Sequence, residues 1–353
     1  MLLDEEQTYE RFDKSNMRGL IASLPEQCRT GAEMARHFKL PPGHKGLSKA
    51  ILFGMGGSAI GGDLVADLQA LEGYTTLQIH RDYGHKGLAD ENTLAIASSN
   101  SGNTEETVSA FQSALESGAK CAAITRGGRI AELCKEKGVP VFTFEQQGPP
   151  RTALGFSVFP ILGLLEAAKL APDRSDQVKE SITEMERLIL QLGPDIPFAS
   201  NPAKALALEV GERTAVVYGG QHLTGVARRW KTQIAENAKG WAFWEVIPEI
   251  HHNSVVALSM DGSLANTPFL VLMLRSPSYG PRIAARFEVT AELLGKAQVP
   301  FRWVDARGRS PLAQEMTATI FGDYVSLYLA MLRGVDPTPT PSLDWFKVRM
   351  AAR

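Results

Sequence analysis

Ala50-Ile51-Leu52-Phe53-Gly54-Met55-Gly56-Gly57-Ser58 and Thr93-Leu94-Ala95-Ile96-Ala97-Ser98-Ser99-Asn100-Ser101-Gly102-Asn103-Thr104 share one pattern. Each is a short apolar run, then a turn rich in Gly and hydroxyl side chains, then a segment of helical periodicity. A continuous apolar run of this length reads as a strand buried on both faces. The turns carry the chemistry. Small residues let the backbone approach a ligand, several N–H groups point at one anion, and the dipole of the following helix favours negative charge. Hydroxyls add neutral donors. A phosphate monoester, such as a sugar phosphate, is the ligand this combination suits.

Outward from these turns the chain continues to alternate. The spacing predicts strands at 50–53, 76–79, 93–97, 121–124 and 139–144, with helices from about 58, over 104–117 and over 129–137. Strands separated by helices mean βαβ units and a parallel sheet. A leading pair of helices is expected over residues 1–40, a buried helix over 154–171 and a connecting helix over 173–191. Three prolines between Pro194 and Pro202 mark a boundary. Beyond it the pattern returns in outline: strands at 214–220, 269–274 and 301–304, with a helix over 280–295. The expected division is a helical segment 1–48, a phosphate-binding α/β unit 49–172, a linker 173–202 and a second α/β unit 203–353. In that second unit Arg275-Ser276-Pro277-Ser278-Tyr279-Gly280 stands where the first has its Ser/Gly/Thr turn, so one anion site per chain is expected.

Composition limits the classes of partner. The chain has 353 residues, 44% hydrophobic and 22% charged, with a formal net charge of −2. That is the balance of a folded globular protein, with no basic field for nucleic acid. No apolar stretch approaches the roughly eighteen residues of a membrane span, and the N-terminus lacks a signal-peptide core. Cys28, Cys121 and Cys134 have neither disulfide-framework nor metal-type spacing. A reducing cytoplasm is the expected location.

Several side chains are candidates for chemistry. Gly54-x-Gly56-x-x-Ala59 also satisfies a relaxed dinucleotide fingerprint, against which stand the unclear acidic residue in Ile79-His80-Arg81-Asp82 and the hydroxyl-rich second turn. Arg151, after Gly148-Pro149-Pro150, is either a surface guanidinium or a partner for developing oxyanion charge. Glu236 shares a helix face with Thr232. Trp241, Phe243 and Trp244 lie just beyond, and a carboxylate held against apolar surface is a better base. His251-His252 is no metal pair by spacing; acid/base and surface readings both stand.

Taken together the motifs resemble the bifunctional phosphoglucose/phosphomannose isomerases of the sugar-isomerase (SIS) fold. They are Gly54-Met55-Gly56-Gly57-Ser58, Ser99-x-Ser101-Gly102-Asn103-Thr104-Glu105-Glu106-Thr107, Pro150-Arg151-x-Ala153-x-Gly155, Thr232-Gln233-x-x-Glu236-Asn237-x-Lys239, His252-Asn253, Gly322-Asp323-Tyr324-Val325-Ser326, and Arg333-Gly334-Val335-Asp336-Pro337, followed by Lys347. The resemblance runs from about residue 50 to the end. It implies an α/β fold of two flavodoxin-like SIS subdomains, each a parallel sheet flanked by helices, in a homodimer with sites near the subunit interface. It implies aldose–ketose isomerisation of glucose 6-phosphate or mannose 6-phosphate with fructose 6-phosphate through a cis-enediol, without metal or redox cofactor. By resemblance Ser58, Ser99, Ser101 and Thr104 form the phosphate cradle, and Gly57 lets the sugar approach. Glu236 is the base, His252 (from either subunit) the ring-opening acid/base, Arg151 the enediolate partner, Lys347 a lysine of the ring-opening site, and Thr340 a sugar-hydroxyl contact. Asn100 stands where the family pattern has an aromatic residue, and Ser254 where it often has Glu; both bear on substrate preference. A regulatory sugar-phosphate-binding protein and an aminosugar-phosphate isomerase are the alternatives on the same scaffold.

Overall fold

The computed structural model describes residues 1–259, 264 and 268–352. The N-terminal segment folds as α1 (Glu6–Phe12), α2 (Met17–Ala22) and α3 (Leu24–His37), three α-helices where a pair is expected. The break falls at Asn16, which takes a left-handed conformation (φ 55°) and caps α2 by accepting from the Gly19 N–H. Asn tolerates that region through its short polar side chain.

The first sheet is built from β1 (Lys49–Phe53), β2 (Leu77–His80), β3 (Thr93–Ser99), β4 (Lys120–Thr125) and β5 (Val141–Thr143). Its order is β2-β1-β3-β4-β5, all parallel. Helices α4 (Gly56–Glu72), α5 (Glu105–Glu116) and α6 (Gly128–Lys137) make the crossovers, and α7 (Gly155–Ala167) follows. Every residue of β3 is buried, as a central strand covered on both faces requires. After α8 (Ser175–Leu192) and α9 (Pro202–Val210) comes the second sheet: β6 (Thr214–Gly220), β7 (Ala242–Ile247), β8 (Phe269–Arg275) and β9 (Phe301–Asp305), in order β7-β6-β8-β9, again parallel. Helices α10 (Thr224–Ala238), α11 (Pro281–Lys296), α12 (Pro311–Leu332) and α13 (Pro341–Ala351) complete the chain.

The fold is α/β, with two parallel-only sheets flanked by helices. The second sheet repeats the first four strand positions of the first. The strand absent from the sequence reading is β7: its residues Phe243 and Trp244 register as an edge strand on β6, and Trp241 just before it is 80% exposed.

Helix α12 is apolar nearly all round, and all but three of its residues are buried. A helix of that kind belongs inside a core rather than on a surface. It packs on α8, α9 and α10. The indole N–H of Trp230 on α10 donates to the Ala318 carbonyl at 2.9 Å, giving the largest buried side chain the partner it needs. Among the described residues no helix is long and apolar enough to cross a membrane.

Candidate functional site

In an open parallel sheet of order 2-1-3-4-5, ligands sit beyond the carboxyl ends of the strands where the winding reverses. Here that point lies between β1 and β3, and the two Gly/hydroxyl turns leave those two strands. They are joined directly: the Asn100 N–H donates to Ser58 Oγ at 3.0 Å, and Ser98 Oγ donates to the Ser58 carbonyl at 2.9 Å. Ser99 Oγ lies 3.1 Å from Thr104 Oγ1 and accepts from the Gly102 N–H at 3.1 Å. Ser101 Oγ accepts from the Asn103 N–H at 3.2 Å. Gly102 has φ +69°, and a Cβ there would lie 1.7 Å from the Gly127 carbonyl oxygen, so only Gly closes this loop. Thr104 is the N-cap of α5 without a side-chain cap bond, which leaves orphan N–H groups of the first helical turn for a ligand. Ser58, Ser99, Ser101 and Thr104 are thus on one pair of adjoining turns.

The matching position in the second sheet is filled by its own side chains. His222 Nε2 lies 3.1 Å from Gln314 Oε1 and from Ser276 Oγ. Gln314 Nε2 donates to Ser278 Oγ at 2.9 Å. Burial pulls the His222 imidazole down to about 4, so this crevice holds a neutral hydrogen-bonded network.

Arg151 is not a surface side chain. It follows Pro149-Pro150 in a single 3-10 turn and is 3% exposed. Its Nε donates to Asn237 Oδ1 at 2.7 Å, Nη1 to Glu236 Oε2 at 3.2 Å, and Nη2 to the carbonyls of Pro337 and Thr338 at 2.7 and 3.0 Å. Desolvation lowers its pKa, and the Glu236 carboxylate opposes that fall. Its own carbonyl accepts from Arg229 Nη2 at 3.1 Å, and Arg229 is paired in the core with Asp323 at 2.7 Å. Gln233 donates to the same Asp323, and Asn237 to Ser326. Residues 229, 233 and 237 form one buried stripe of α10 facing 323 and 326 on α12, and the stripe ends at Arg151.

Glu236 is 34% exposed. The expectation that Trp241, Phe243 and Trp244 press upon its carboxylate is corrected. These residues lead into or belong to β7, with Trp241 and Phe243 exposed, and the partner given to Glu236 is a cation. Lys239, in the left-handed conformation (φ 54°) that ends α10, donates to the Glu236 carbonyl and to the Pro337 carbonyl, the latter at 3.0 Å. Burial first, then Arg151, lowers the Lys239 ammonium to about 8.

Gly57 connects the paired turns with the Arg151–Glu236 pair. A Cβ there would lie 3.0 Å from Arg151 N and 3.1 Å from Arg151 Cα. The structure therefore brings Gly57, Ser58, Ser99, Ser101, Thr104, Arg151 and Glu236 into one continuous region. Thr340, the N-cap of α13, lies two residues beyond the Thr338 carbonyl that binds Arg151. His252 and Lys347 are exposed, and neither side chain forms a hydrogen bond or ion pair among the described residues. His251 is the tethered histidine, bonded to Thr290 at 2.8 Å and Arg286 at 3.0 Å.

Sequence reasoning gave no role to Arg229, Gln233, Asn237, Asp323, Ser326 or Lys239. The signal was available in the first three: polar residues four apart on one face of a helix.

Among the described residues no group of three His, Cys, Asp or Glu side chains is arranged to hold a metal ion.

The fold of two parallel sheets is shared with a hypothetical protein of Thermus thermophilus, at a TM-score of 0.76 and 17% identity, covering 99% of this chain and 93% of that one. Residues 199–350 match the bacterial phospho-glucose isomerase C-terminal SIS domain. The bifunctional phosphoglucose/phosphomannose isomerase of Caldicellulosiruptor bescii is 35% identical over 332 residues, 94% of this chain and 98% of that one. The enzyme of the same name from Thermoplasma acidophilum is 33% identical, over 86% and 90%. The chain belongs to the bifunctional phosphoglucose/phosphomannose isomerase family.

Proposed function

We propose that this protein interconverts glucose 6-phosphate, mannose 6-phosphate or both with fructose 6-phosphate through a cis-enediol. The observation that carries the reading is the Arg151–Glu236 pair held against the phosphate cradle through Gly57. The cradle fixes the ester end of the substrate, so the reacting carbons are presented to one carboxylate at high effective concentration. Glu236 takes the proton from C2 of the open-chain aldose and returns it to C1. Arg151 has five N–H donors, and four are engaged with Asn237, Glu236, Pro337 and Thr338. The fifth is on Nη1, the nitrogen that also holds Glu236, so it is aimed where negative charge develops on the enediolate oxygen. Ring opening falls to His252, with Lys347 lining that part of the site and Thr340 meeting sugar hydroxyls.

We further propose a homodimer in which the partner's copy brings His252 and Lys347 to the site. Its support is the exposed apolar surface of α13, with Leu343, Trp345, Phe346 and Val348 all outward; a patch of this kind marks an association surface. Three free, buried cysteines suit a cytoplasmic protein.

The test is a coupled assay from fructose 6-phosphate that resolves the two aldose products. Turnover in the wild type, lost in Glu236→Gln while phosphate-ester binding persists, supports the reading. A wild type inactive toward both products overturns it. Equilibrium sedimentation checks the dimer; a monomer at micromolar concentration refutes it.

A further inference from the structure

Asn100 sits where the two turns of the cradle meet, and its backbone is fixed from both sides. Its N–H donates to Ser58 Oγ at 3.0 Å and its carbonyl accepts from the Arg126 N–H at 3.2 Å. The side chain has no such anchorage. It is 9% exposed, and its Nδ2 is buried with no hydrogen-bond partner among the described residues. A buried donor without an acceptor is a departure that calls for a reason.

Asn100 lines a cavity of about 10 Å³ with Gly57, Ser58, Ser98, Pro150 and Ser157 over an apolar floor. Both Ser98 Oγ and Ser157 Oγ are committed as donors to the Ser58 carbonyl, at 2.9 and 3.3 Å. Asn100 is therefore the side chain in this cavity with uncommitted amide N–H groups. The cavity's position matters as much as its donors. Gly57 and Pro150, two of its walls, are the residues in contact at the joint with Arg151, so it lies along the route from the cradle to Glu236. A space of this size accepts about one oxygen atom.

We infer that Asn100 is a specificity-determining residue, whose carboxamide N–H meets one hydroxyl of the substrate's carbon chain between the phosphate and the reacting carbons. The inference rests on the sugar-phosphate reading above and deepens it. A site built to donate to a substrate hydroxyl discriminates sharply against ligands that do not present one, because the donor is then left buried and unpaired.

The experiment separates chain recognition from phosphate recognition. Wild type, Asn100→Leu and Asn100→Asp are titrated with glucitol 6-phosphate, an acyclic non-isomerisable chain, and with inorganic phosphate. Leu keeps the volume without donors; Asp keeps the shape and replaces a donor with an acceptor. Far-UV circular dichroism confirms folding, and Asn100→Ser replaces any variant that does not fold. The expected result is affinity for glucitol 6-phosphate weakened ten-fold or more, with inorganic phosphate affinity within two-fold of wild type. In the isomerase assay the glucose-to-mannose product ratio shifts as well. Equal weakening of both ligands, or two-fold or smaller changes in both, overturns the inference. A wild type that binds glucitol 6-phosphate but turns over no aldose would sink the isomerase reading while leaving this one standing.

Discussion

A β-carbon on Gly57 would stand 3.0 Å from the main-chain nitrogen of Arg151, so the first turn of the phosphate-side helix and the backbone of the buried arginine are in contact with nothing between them. In the proposed site that contact sets the distance between what is held and what reacts. Gly57→Ala obliges one side to retreat by a few tenths of an ångström, and Arg151, locked by four hydrogen bonds, transmits the shift to Glu236. A misplacement of about 1 Å costs on the order of 100-fold in rate, so a shift of a few tenths costs roughly ten-fold or less. The expected outcome is a kcat/KM reduced by up to roughly ten-fold, with phosphate affinity retained; steady-state kinetics beside phosphate titration checks it.

Lys239 gives the pH dependence. Its ammonium titrates at about 8, below the usual lysine value, because burial and Arg151 disfavour the charged form. The facing groups are Arg151 from the turn after Pro149, Glu236 on α10 and Asp336 in the loop before α13. Between about 8 and the ordinary lysine value the unfolded chain binds more protons than the folded one, so this group makes stability rise with pH there. Activity moves oppositely, since losing the proton removes a positive charge beside Glu236 and weakens the tie to Pro337. A decline in kcat/KM through pH 8 is expected. Lys239→Arg, which keeps its charge, moves that decline upward by a unit or more; an unmoved pH profile would exclude Lys239 as its source.

Asp323 holds the stripe on which Arg151 rests, pairing Arg229 and accepting from Gln233. Removing one partner of a buried pair leaves an uncompensated charge and costs about 3–5 kcal/mol. Asp323→Ala should lower the urea midpoint accordingly, whereas an exposed pair such as Arg187–Glu184 should contribute under about 1 kcal/mol.

Glu315 on α12 is fully buried, and both carboxylate oxygens lack partners among the described residues. Desolvation raises it well above the usual carboxylate range, with Asp67, itself pushed up to about 7, adding to the rise. The native state then holds protons that the unfolded chain releases above its ordinary value. Stability from these two acids falls as pH increases through neutrality. Glu315→Met conserves volume and removes two orphan acceptors. A gain of about 1–3 kcal/mol is expected, larger at pH 8 than at pH 5 by thermal denaturation; a loss at both pH values would contradict it.

Much of this was legible because it is local. A buried parallel strand writes itself as an apolar run, and a turn that must admit an anion shows Gly and Ser in consecutive positions, so β1, β3 and their turns could be read from single segments. β7 could not. Its aromatic residues are half exposed at a sheet edge, and Trp241-Ala242-Phe243-Trp244 reads equally as packing for the preceding helix. The three-helix start hid behind one Asn adopting a left-handed turn. The socket of Arg151 was illegible for a different reason. Arg229, Gln233 and Asn237 become a stripe only when α12 supplies Asp323 and Ser326 across nearly a hundred residues of chain, a relation that no window of sequence contains.

Arg151 is encoded with the first sheet, yet its side-chain partners and the guanidinium that grips its carbonyl all come from the half built on the second. The second sheet, with its crevice plugged by His222 and Gln314, survives as the mould for a residue belonging to the first. In the proposed reaction the second unit decides whether binding leads anywhere, so changes in α10 or α12 that leave the turns after β1 and β3 untouched are expected to silence the protein.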